Sequence, residues 1–144
     1  MGPTMMLHIR PVGLLLSLAI IACLLTGCGS DGPPRYQVTG EVTFDGQPVT
    51  DGQIIFTPKD SDLGPDAGII KDGKFSFLSK EGDKKVSIEA SRKVPGKMQS
   101  DFKGGEVPVF EAYIPAKYNK QTTLEATVTD VAADNKFEFD LTKD

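Results

Sequence analysis

Apolar and polar residues alternate with a period of two through most of the chain after residue 35. Such alternation is typical of β-strands that bury one face. In the first run, Val38, Val42 and Phe44 share a face with Gly40. The same pattern predicts strands at residues 36–44, 52–57, 67–71, 74–79, 84–91, 123–129 and 136–141. We find no helical spacing in this part of the chain.

Turn signals separate the predicted strands. Asp45-Gly46 supplies a glycine suited to positive φ, and Asp72-Gly73 lies between two β-rich runs, which is a strong hairpin signal. We expect the last two strands to pair with each other and close the domain. The pattern therefore predicts a single all-β sandwich of about seven strands.

Residues 92–121 interrupt this pattern. They contain three prolines and three glycines and show no sustained periodicity. A segment this long without regular structure is unusual inside a compact domain and is often functional. We therefore expect a long loop here.

The N-terminal residues predict a processed leader rather than part of the fold. A short segment ending at Arg10 precedes an apolar run at residues 12–25, which is shorter than the roughly 20 residues needed to span a bilayer. Residues 25–28, Leu-Thr-Gly-Cys, are similar to a bacterial lipobox, in which the thiol of the cysteine, here Cys28, accepts diacylglycerol. An ordinary secretory signal with a coincidental cysteine is the alternative.

We accordingly divide the chain into a lipoprotein signal peptide (1–27), a flexible tether (28–35) and a β-sandwich domain (36–144). The tether is polar and proline-rich, a composition that does not bury apolar surface. A membrane is the predicted partner of Cys28, because several acyl chains hold a protein firmly. The predicted location is the bacterial cell envelope. Gly29 after the cysteine favours the outer membrane or cell surface by analogy, and a periplasm-facing position is the alternative.

The chemical inventory excludes several classes of function. The chain holds 16 Lys+Arg, 20 Asp+Glu, two cysteines and one histidine. His8 and Cys23 lie in the predicted signal peptide, which leaves Cys28 alone in the mature chain. Ser-His-Asp and Cys-His catalysis, His/Cys zinc sites and an internal disulfide are then excluded. The net charge of −4 and the lack of a basic face in the sequence argue against nucleic-acid binding. We expect neither a cofactor nor a metal.

Several motifs resemble a known family. Residues 38–49 (VTGEVTFDGQPV) and 52–58 (GQIIFTP) resemble the opening of carboxypeptidase regulatory-like domains, with a strand, a tight turn and a second strand ending in proline. Residues 72–77 (DGKFSF) are similar to the Asp-x-Gly-x-Phe-x-Phe hairpin of those domains, one residue shorter. Residues 114–119 (IPAKYN) and 137–141 (FEFDL) are similar to the tail of small bacterial lipoproteins of this transthyretin-like type.

The resemblance covers residues 36–141 and implies a seven-stranded Greek-key β-sandwich of the prealbumin or transthyretin-like kind, usually non-catalytic. One branch of the wider group hydrolyses hydroxyisourate with His, Arg and a C-terminal Tyr-Arg-Gly-Ser. This chain ends Leu-Thr-Lys-Asp and has no mature histidine. Dioxygenase relatives hold iron with Tyr and His ligands, and the mature chain has no histidine to serve as one. The resemblance therefore implies a fold and not an activity.

The interrupted segment supplies the candidate interaction residues. Its basic residues, Arg92, Lys93, Lys97 and Lys103, form the one locally basic stretch of an acidic chain. They suit an anionic partner such as a lipid headgroup or an acidic glycan, although the interpretation that we favour is a solvated loop. Aromatic residues lie in or beside the same stretch: Phe102, Phe110, Tyr113 and Tyr118. Exposed rings would stack on sugars or anchor a protein partner. The alternative, which we expect, is that they fold the loop over the core, with both tyrosines pinning the chain near Pro115.

Acidic residues give two weaker candidates. Residues 60–66 space aspartates as a calcium loop does, but the twelfth position counted from Asp60 is Lys71 and not glutamate, so we expect a solvated loop. Glu138 and Asp140 share a strand face as a glycosidase pair would, yet any solvent-facing strand produces such pairs. We therefore expect a non-enzymatic, lipid-anchored interaction or structural module with an envelope protein or a glycan as partner. Carbohydrate binding is the alternative role.

Overall fold

The computed structural model describes residues 2, 32–60 and 62–144. Pro33–Asp144 form one unit that consists almost entirely of strands. The strands are β1 (Arg35–Phe44), β2 (Gln47–Pro48), β3 (Asp51–Pro58), β4 (Asp66–Lys71), β5 (Lys74–Lys80), β6 (Gly82–Ser100), β7 (Glu106–Ala112), β8 (Glu125–Val128) and β9 (Lys136–Leu141). Two short 3₁₀ helices span Ala116–Tyr118 and Ala132–Asp134. The prediction of an all-β domain is confirmed.

The strands form one curled, mainly antiparallel sheet with the order β2-β1-β5-β4-β3-β6-β7. β8 pairs with the first residues of β6, and β9 runs parallel to β1. The described residues thus contain nine strands rather than seven. The two that the alternation did not predict are β2 and β7.

The alternation of the first strands places the core correctly. Val38 and Val42 on β1 are fully buried, as is Phe56 on β3. The ring of Phe56 contacts Phe77 on β5 and Phe137 on β9, with centroid separations of 5.2 and 5.7 Å. Because β3 is hydrogen-bonded to neither of those strands, these contacts cross the interior of the curl. Burial of the Phe56 ring stabilises the fold by about 1.5–3 kcal/mol.

Both Asp-Gly pairs form the tight turns that their sequence predicts. Asp45 and Gly46 have φ values of 49° and 76°, and Asp72 and Gly73 have 49° and 78°. Positive φ at both central residues gives a turn whose twist matches that of the flanking strands. The first pair joins β1 to β2, and the second joins β4 to β5.

The predicted pairing of the last two strands is wrong, and Asn135 explains why. Its side chain donates from Nδ2 to the carbonyl oxygen of Thr129 (2.8 Å) and accepts at Oδ1 from the Thr129 N–H (2.9 Å). Its own carbonyl oxygen accepts from the N–H of Thr39 on β1 (3.0 Å). These bonds hold the connection after β8 in an open turn, which brings β9 to β1 instead of back to β8.

The expectation of an irregular loop at residues 92–121 is also wrong. β6 continues to Ser100, and β7 returns antiparallel to it from Glu106. Residues 92–111 therefore form a two-stranded hairpin, which we call the ribbon. Its first half continues a strand whose earlier residues lie in the body of the sheet.

The prolines and glycines that suggested a loop occupy positions that a ribbon tolerates. The register shifts between Lys93 and Met98, so that residues 94–97 bulge, and Gly96 within the bulge has a φ of 71°. A bulge accommodates extra residues without ending the strand. Pro108 lies on β7, which has β6 as its only neighbour in the described chain, and an edge strand tolerates a missing N–H.

Candidate functional site

A groove of about 690 Å³ lies where the ribbon leaves the body of the sheet. One side is formed by the end of β1, by β2 and by the start of β3. The other side is formed by the base of the ribbon. Residues on these two sides are far apart in sequence, and the register of β6 with β3 and β7 brings them together.

Tyr113 connects the two sides of the groove. Its ring meets the edge of the Phe44 ring at a centroid distance of 5.5 Å and an angle of 69°. The guanidinium of Arg92 lies 5.5 Å from the Tyr113 centroid, and its Nε donates to Oε1 of Glu111 (2.9 Å). Burial raises the pKa of the Tyr113 phenol above 10.0, with the charge of Arg92 opposing and that of Asp51 adding to this shift. The ring is therefore held from both sides.

The rims of the groove carry opposite charges. Asp45 and Asp51 lie on the β1–β3 side, and Arg92 and Lys93 lie on the ribbon side. Asp51 accepts from Nζ of Lys71 (2.6 Å), and Asp45 accepts from the backbone N–H of Lys143 (3.0 Å). These bonds position both carboxylates before any ligand binds.

The tip of the ribbon is an ordered turn that presents an aromatic ring to solvent. Oδ1 of Asp101 accepts from the N–H groups of Lys103 (2.8 Å) and Gly105 (2.7 Å). The N–H of Asp101 donates to the carbonyl oxygen of Gly105 (2.8 Å), which closes the turn. Phe102, which lies in this turn between Asp101 and Lys103, has a relative exposure of 112%.

Other apolar side chains of the ribbon are also exposed. Met98, Val107 and Phe110 have relative exposures of 50%, 37% and 62%. Met98 lies opposite Pro108, and Lys93 lies opposite Phe110. Residues opposite one another, or two apart on one strand, share a face, so Met98, Pro108, Phe110 and Lys93 form one apolar and basic face.

The structure brings together three of the six predicted interaction residues. Arg92, Lys93 and Tyr113 line the groove. Lys97 lies in the bulge and Lys103 in the tip, further along the same ribbon. Tyr118 lies elsewhere, in the 3₁₀ helix that follows β7.

The two tyrosines pack against the core, as expected, but the two phenylalanines do not. The hydroxyl oxygen of Tyr118 accepts from the N–H of Thr142 (3.0 Å). Hydrogen bonds from the hydroxyl and the backbone of Thr142 lower the pKa of Tyr118 below 10.0. The expectation that Phe102 and Phe110 also fold back onto the core is wrong, because the ribbon carries both away from it.

The acidic candidates are placed individually. Asp66, the last aspartate of the calcium-like segment, begins β4 and is buried against Lys80 (2.5 Å). The described part of the chain contains no group of three or more His, Cys, Asp or Glu side chains arranged to hold a metal ion. Glu138 and Asp140 are exposed on one face of β9, where Asp140 accepts from the hydroxyl of Thr43 (2.7 Å).

The groove lies at the opposite end of β1 from the start of the domain. Arg35 begins β1 and pairs with Lys80, whereas Phe44, at the end of β1, lines the groove. Ten residues of strand at about 3.3 Å each separate these ends by roughly 30 Å. β6 is antiparallel to β3, with Lys84 opposite Pro58 and Ala90 opposite Gly52, and successive antiparallel pairs from β1 to β3 give β6 the same direction as β1. The ribbon, which continues β6, therefore extends beyond the end of the body at which the groove lies.

Sequence reasoning missed the β1–β3 side of the groove. Asp45 was identified only as a turn residue, and Phe44 only as one of a strand's apolar positions. No motif or periodic pattern in the sequence identified Asp51 as a candidate residue. Nothing local in these residues indicates that they face a ribbon some 50 positions later, because that proximity depends on strand order and register.

Comparison with known proteins adds little to this geometry. No family model and no curated protein sequence matches the chain. Among solved structures, the chain is similar to a 9R-lipoxygenase from Cyanothece PCC8801, with a TM-score of 0.37 and 13% identity over 92% of this chain. The chain spans 20% of the length of that lipoxygenase. A TM-score this low does not establish a shared fold. The predicted lipidation site, Cys28, lies outside the described residues.

Proposed function

We propose that this protein is a lipid-anchored, non-enzymatic β-sandwich of the bacterial cell envelope that binds a partner through the ribbon and the groove at its base. The observation that carries the proposal is the exposure of four large apolar side chains on the ribbon, Met98, Phe102, Val107 and Phe110. Met98 and Phe110 share one face of the ribbon with Pro108, and exposed apolar side chains grouped on one face are typical of an interaction site. Three lysines beside it, Lys93, Lys97 and Lys103, favour a partner with acidic groups.

The position of the ribbon suits a partner away from the anchoring membrane. A lipid on Cys28 would be joined to β1 by a tether of a few residues, each spanning at most about 3.6 Å. The groove and the ribbon lie at the other end of β1, roughly 30 Å further on. The tether and the groove therefore meet opposite ends of β1, so the attachment of the tether does not cover the groove or the ribbon.

The arrangement of the strands into a specific type of β-sandwich is part of the same proposal. We infer that the curled sheet is a transthyretin-like Greek-key sandwich. The contacts of Phe56 with Phe77 and Phe137, across strands that are not paired, support two facing layers. An experimental structure with β3 and β9 in facing sheets would agree, and one open sheet would contradict it.

The anchor is tested by substituting the predicted lipidation site. Incorporation of labelled palmitate and membrane fractionation of the full chain are compared with those of Cys28→Ala. We expect the wild type to be labelled and membrane-bound, and the variant to be neither. A matched Ser30→Ala variant should behave as wild type. Membrane attachment of Cys28→Ala equal to that of the wild type would contradict the anchor.

The interaction role is tested by in-cell crosslinking followed by mass spectrometry. The control replaces Lys93–Phe110 with Asn-Gly, which joins the directly opposed residues Arg92 and Glu111 by a two-residue hairpin turn. A second variant, Phe102→Ser, keeps the ribbon and removes one exposed ring. We expect a crosslinked partner that is lost with the ribbon and reduced by Phe102→Ser. A partner profile identical in all three proteins would overturn the role of the ribbon.

Carbohydrate binding is the second candidate function, and the groove favours it. The groove combines the rings of Phe44, Phe110 and Tyr113 with carboxylates held in place, and a sugar can both stack on rings and hydrogen-bond to such groups. Phe110→Ala removes the most exposed of these rings, and Phe102→Ala serves as a matched exposed ring outside the groove. Cell-wall or storage polysaccharide that is retained by Phe102→Ala but not by Phe110→Ala would support this function. Absence of any retention by the wild type would reject it.

A further inference from the structure

The ribbon tip has the properties of a preorganised anchor residue. Asp101 fixes the turn through three hydrogen bonds with backbone groups of Lys103 and Gly105, and Phe102 stands fully exposed upon it. An aromatic ring on an ordered turn loses little conformational entropy when it binds. Aromatic residues presented in this way are common centres of protein interfaces.

The groove of the same chain is complementary to this tip. The tip carries an apolar ring between an acidic and a basic residue, Asp101 and Lys103. The groove offers the rings of Phe44 and Tyr113 between an acidic rim, which includes Asp51, and a basic rim. The Phe102 ring would meet the two groove rings, Lys103 would share the carboxylate of Asp51 with Lys71, which already donates to it (2.6 Å), and Asp101 would face the basic rim.

The two surfaces cannot meet within one chain. The groove lies at the base of the ribbon, and Phe102 lies at its far end, beyond the nine β6 residues from Arg92 to Ser100. A tip therefore reaches a groove only on another molecule. Two ribbons that lie side by side in opposite directions place each tip at the other's base.

We propose that the ribbon tip of one copy binds the groove of a second copy, and reciprocally, to form a two-fold symmetric dimer. Phe102 then packs against Phe44 and Tyr113 of the other copy, and Lys103 faces Asp51. A two-fold arrangement satisfies both contacts at once, and it is the commonest symmetry of soluble oligomers. The proposal rests on the role of the ribbon as the interaction surface and identifies the partner as this chain itself.

A charge exchange tests the contact directly. Two differently tagged copies of the full chain are co-expressed, extracted in detergent and captured through one tag, and the mass of the complex is measured by sedimentation. We expect a dimer in the wild type and at least a tenfold loss of association in Phe102→Ala. Lys103→Glu and Asp51→Lys should each weaken association, and the chain carrying both should recover it. Ile69→Ala, an exposed apolar residue on β4, is the matched control and should not change association.

Mixing two complementary variants distinguishes a reciprocal tip-to-groove contact from other ways in which two copies could associate. Phe102→Ala has a faulty tip and an intact groove, and Asp51→Lys has the reverse. In a mixed dimer of the two, one of the two contacts is intact, so we expect capture stronger than for either variant with itself. A wild type that is monomeric, or a double variant that is no better than the single ones, would overturn the proposal. A monomer whose ribbon still captures a different protein in cells would reject the second copy as partner and leave the proposed function standing.

Discussion

The carboxylate of Asp66 lies 2.5 Å from the ammonium group of Lys80, with both side chains almost completely buried. Asp66 also accepts from the backbone N–H of Lys80 (2.9 Å) and the hydroxyl of Ser79 (3.2 Å), and Arg35 approaches it to 3.3 Å. Burial acts to raise the pKa of Asp66. The hydrogen bonds from Lys80 and Ser79 and the charge of Lys80 outweigh burial and hold this pKa below 3.8. One carboxylate thus joins the starts of β1 and β4 to the end of β5.

Asp66→Asn should lower the free energy of unfolding by about 3–5 kcal/mol at neutral pH, because it leaves the buried ammonium group of Lys80 without its counter-charge. Urea denaturation of the two proteins measures the difference. Glu125→Gln is the matched control: it removes the partner of Lys59 in an ion pair whose carboxylate is 63% exposed, and it should cost less than about 1 kcal/mol. Equal losses in the two variants would show that burial of the Asp66 pair has no special role.

The same pair predicts how stability depends on pH. Asp66 has a lower pKa in the folded chain than in the unfolded chain, so its contribution is fully present above about pH 4 and is lost as the pH falls through the folded value. The free energy of unfolding of the wild type should therefore fall below pH 4 more steeply than that of Asp66→Asn. Parallel curves for the two proteins in this range would contradict the prediction.

Gly40→Ala should lower the free energy of unfolding by about 3 kcal/mol or more, because β1 is paired on both sides at this position. A Cβ on Gly40 would overlap the carbonyl oxygen of Phe137 and approach Cζ of Phe75 to 2.6 Å. The ring can adjust, but the carbonyl moves only if β9 moves. Gly64→Ala, which meets open space, is the control in the same denaturation experiment. Equal midpoints would show that β9 does not lie this close to β1.

Seven of the nine strands of the described residues, and most of the core, could be predicted from the sequence, because they depend on local alternation. β9 begins and ends where the pattern of residues 136–141 placed it. Of the strand pairings, the hairpin of β4 and β5 could be predicted from Asp72-Gly73, but the position of β9 could not, because it depends on the side-chain hydrogen bonds of Asn135, which leave no periodic pattern in the sequence. The ribbon was missed because Pro95, Gly96 and Pro108 are loop residues in most contexts, and only the bulge and the open edge make them compatible with strands. Only the ribbon side of the groove held predicted interaction residues, because the proximity of Phe44 and Asp51 to the ribbon depends on strand order and register.

Asn135→Ala should release β9 from β1 before the rest of the sheet opens. The substitution leaves the N–H and carbonyl groups of Thr129 without their partner, at a cost of about 1–3 kcal/mol for each group that stays buried. Hydrogen exchange measures the effect at the amide of Thr39, which donates to the carbonyl oxygen of residue 135 (3.0 Å). We expect faster exchange there and in β9, and little change in β3. Uniform acceleration across all strands would indicate global destabilisation instead.

The phenols of Tyr113 and Tyr118 should ionise at different pH values, in an order that reports on the groove. Burial raises the pKa of Tyr113, whereas hydrogen bonds from Thr142 lower that of Tyr118, so Tyr118 should ionise first as the pH rises. Arg92→Gln should raise the pKa of Tyr113 further, because it removes the cation that lies 5.5 Å from the ring. Tyrosinate absorbance during alkaline titration follows all three tyrosines of the chain, and the variants Tyr113→Phe and Tyr118→Phe identify which steps belong to these two residues. An unchanged Tyr113 step in Arg92→Gln would mean that Arg92 does not lie over Tyr113 in solution, and the basic rim of the groove would then lie elsewhere.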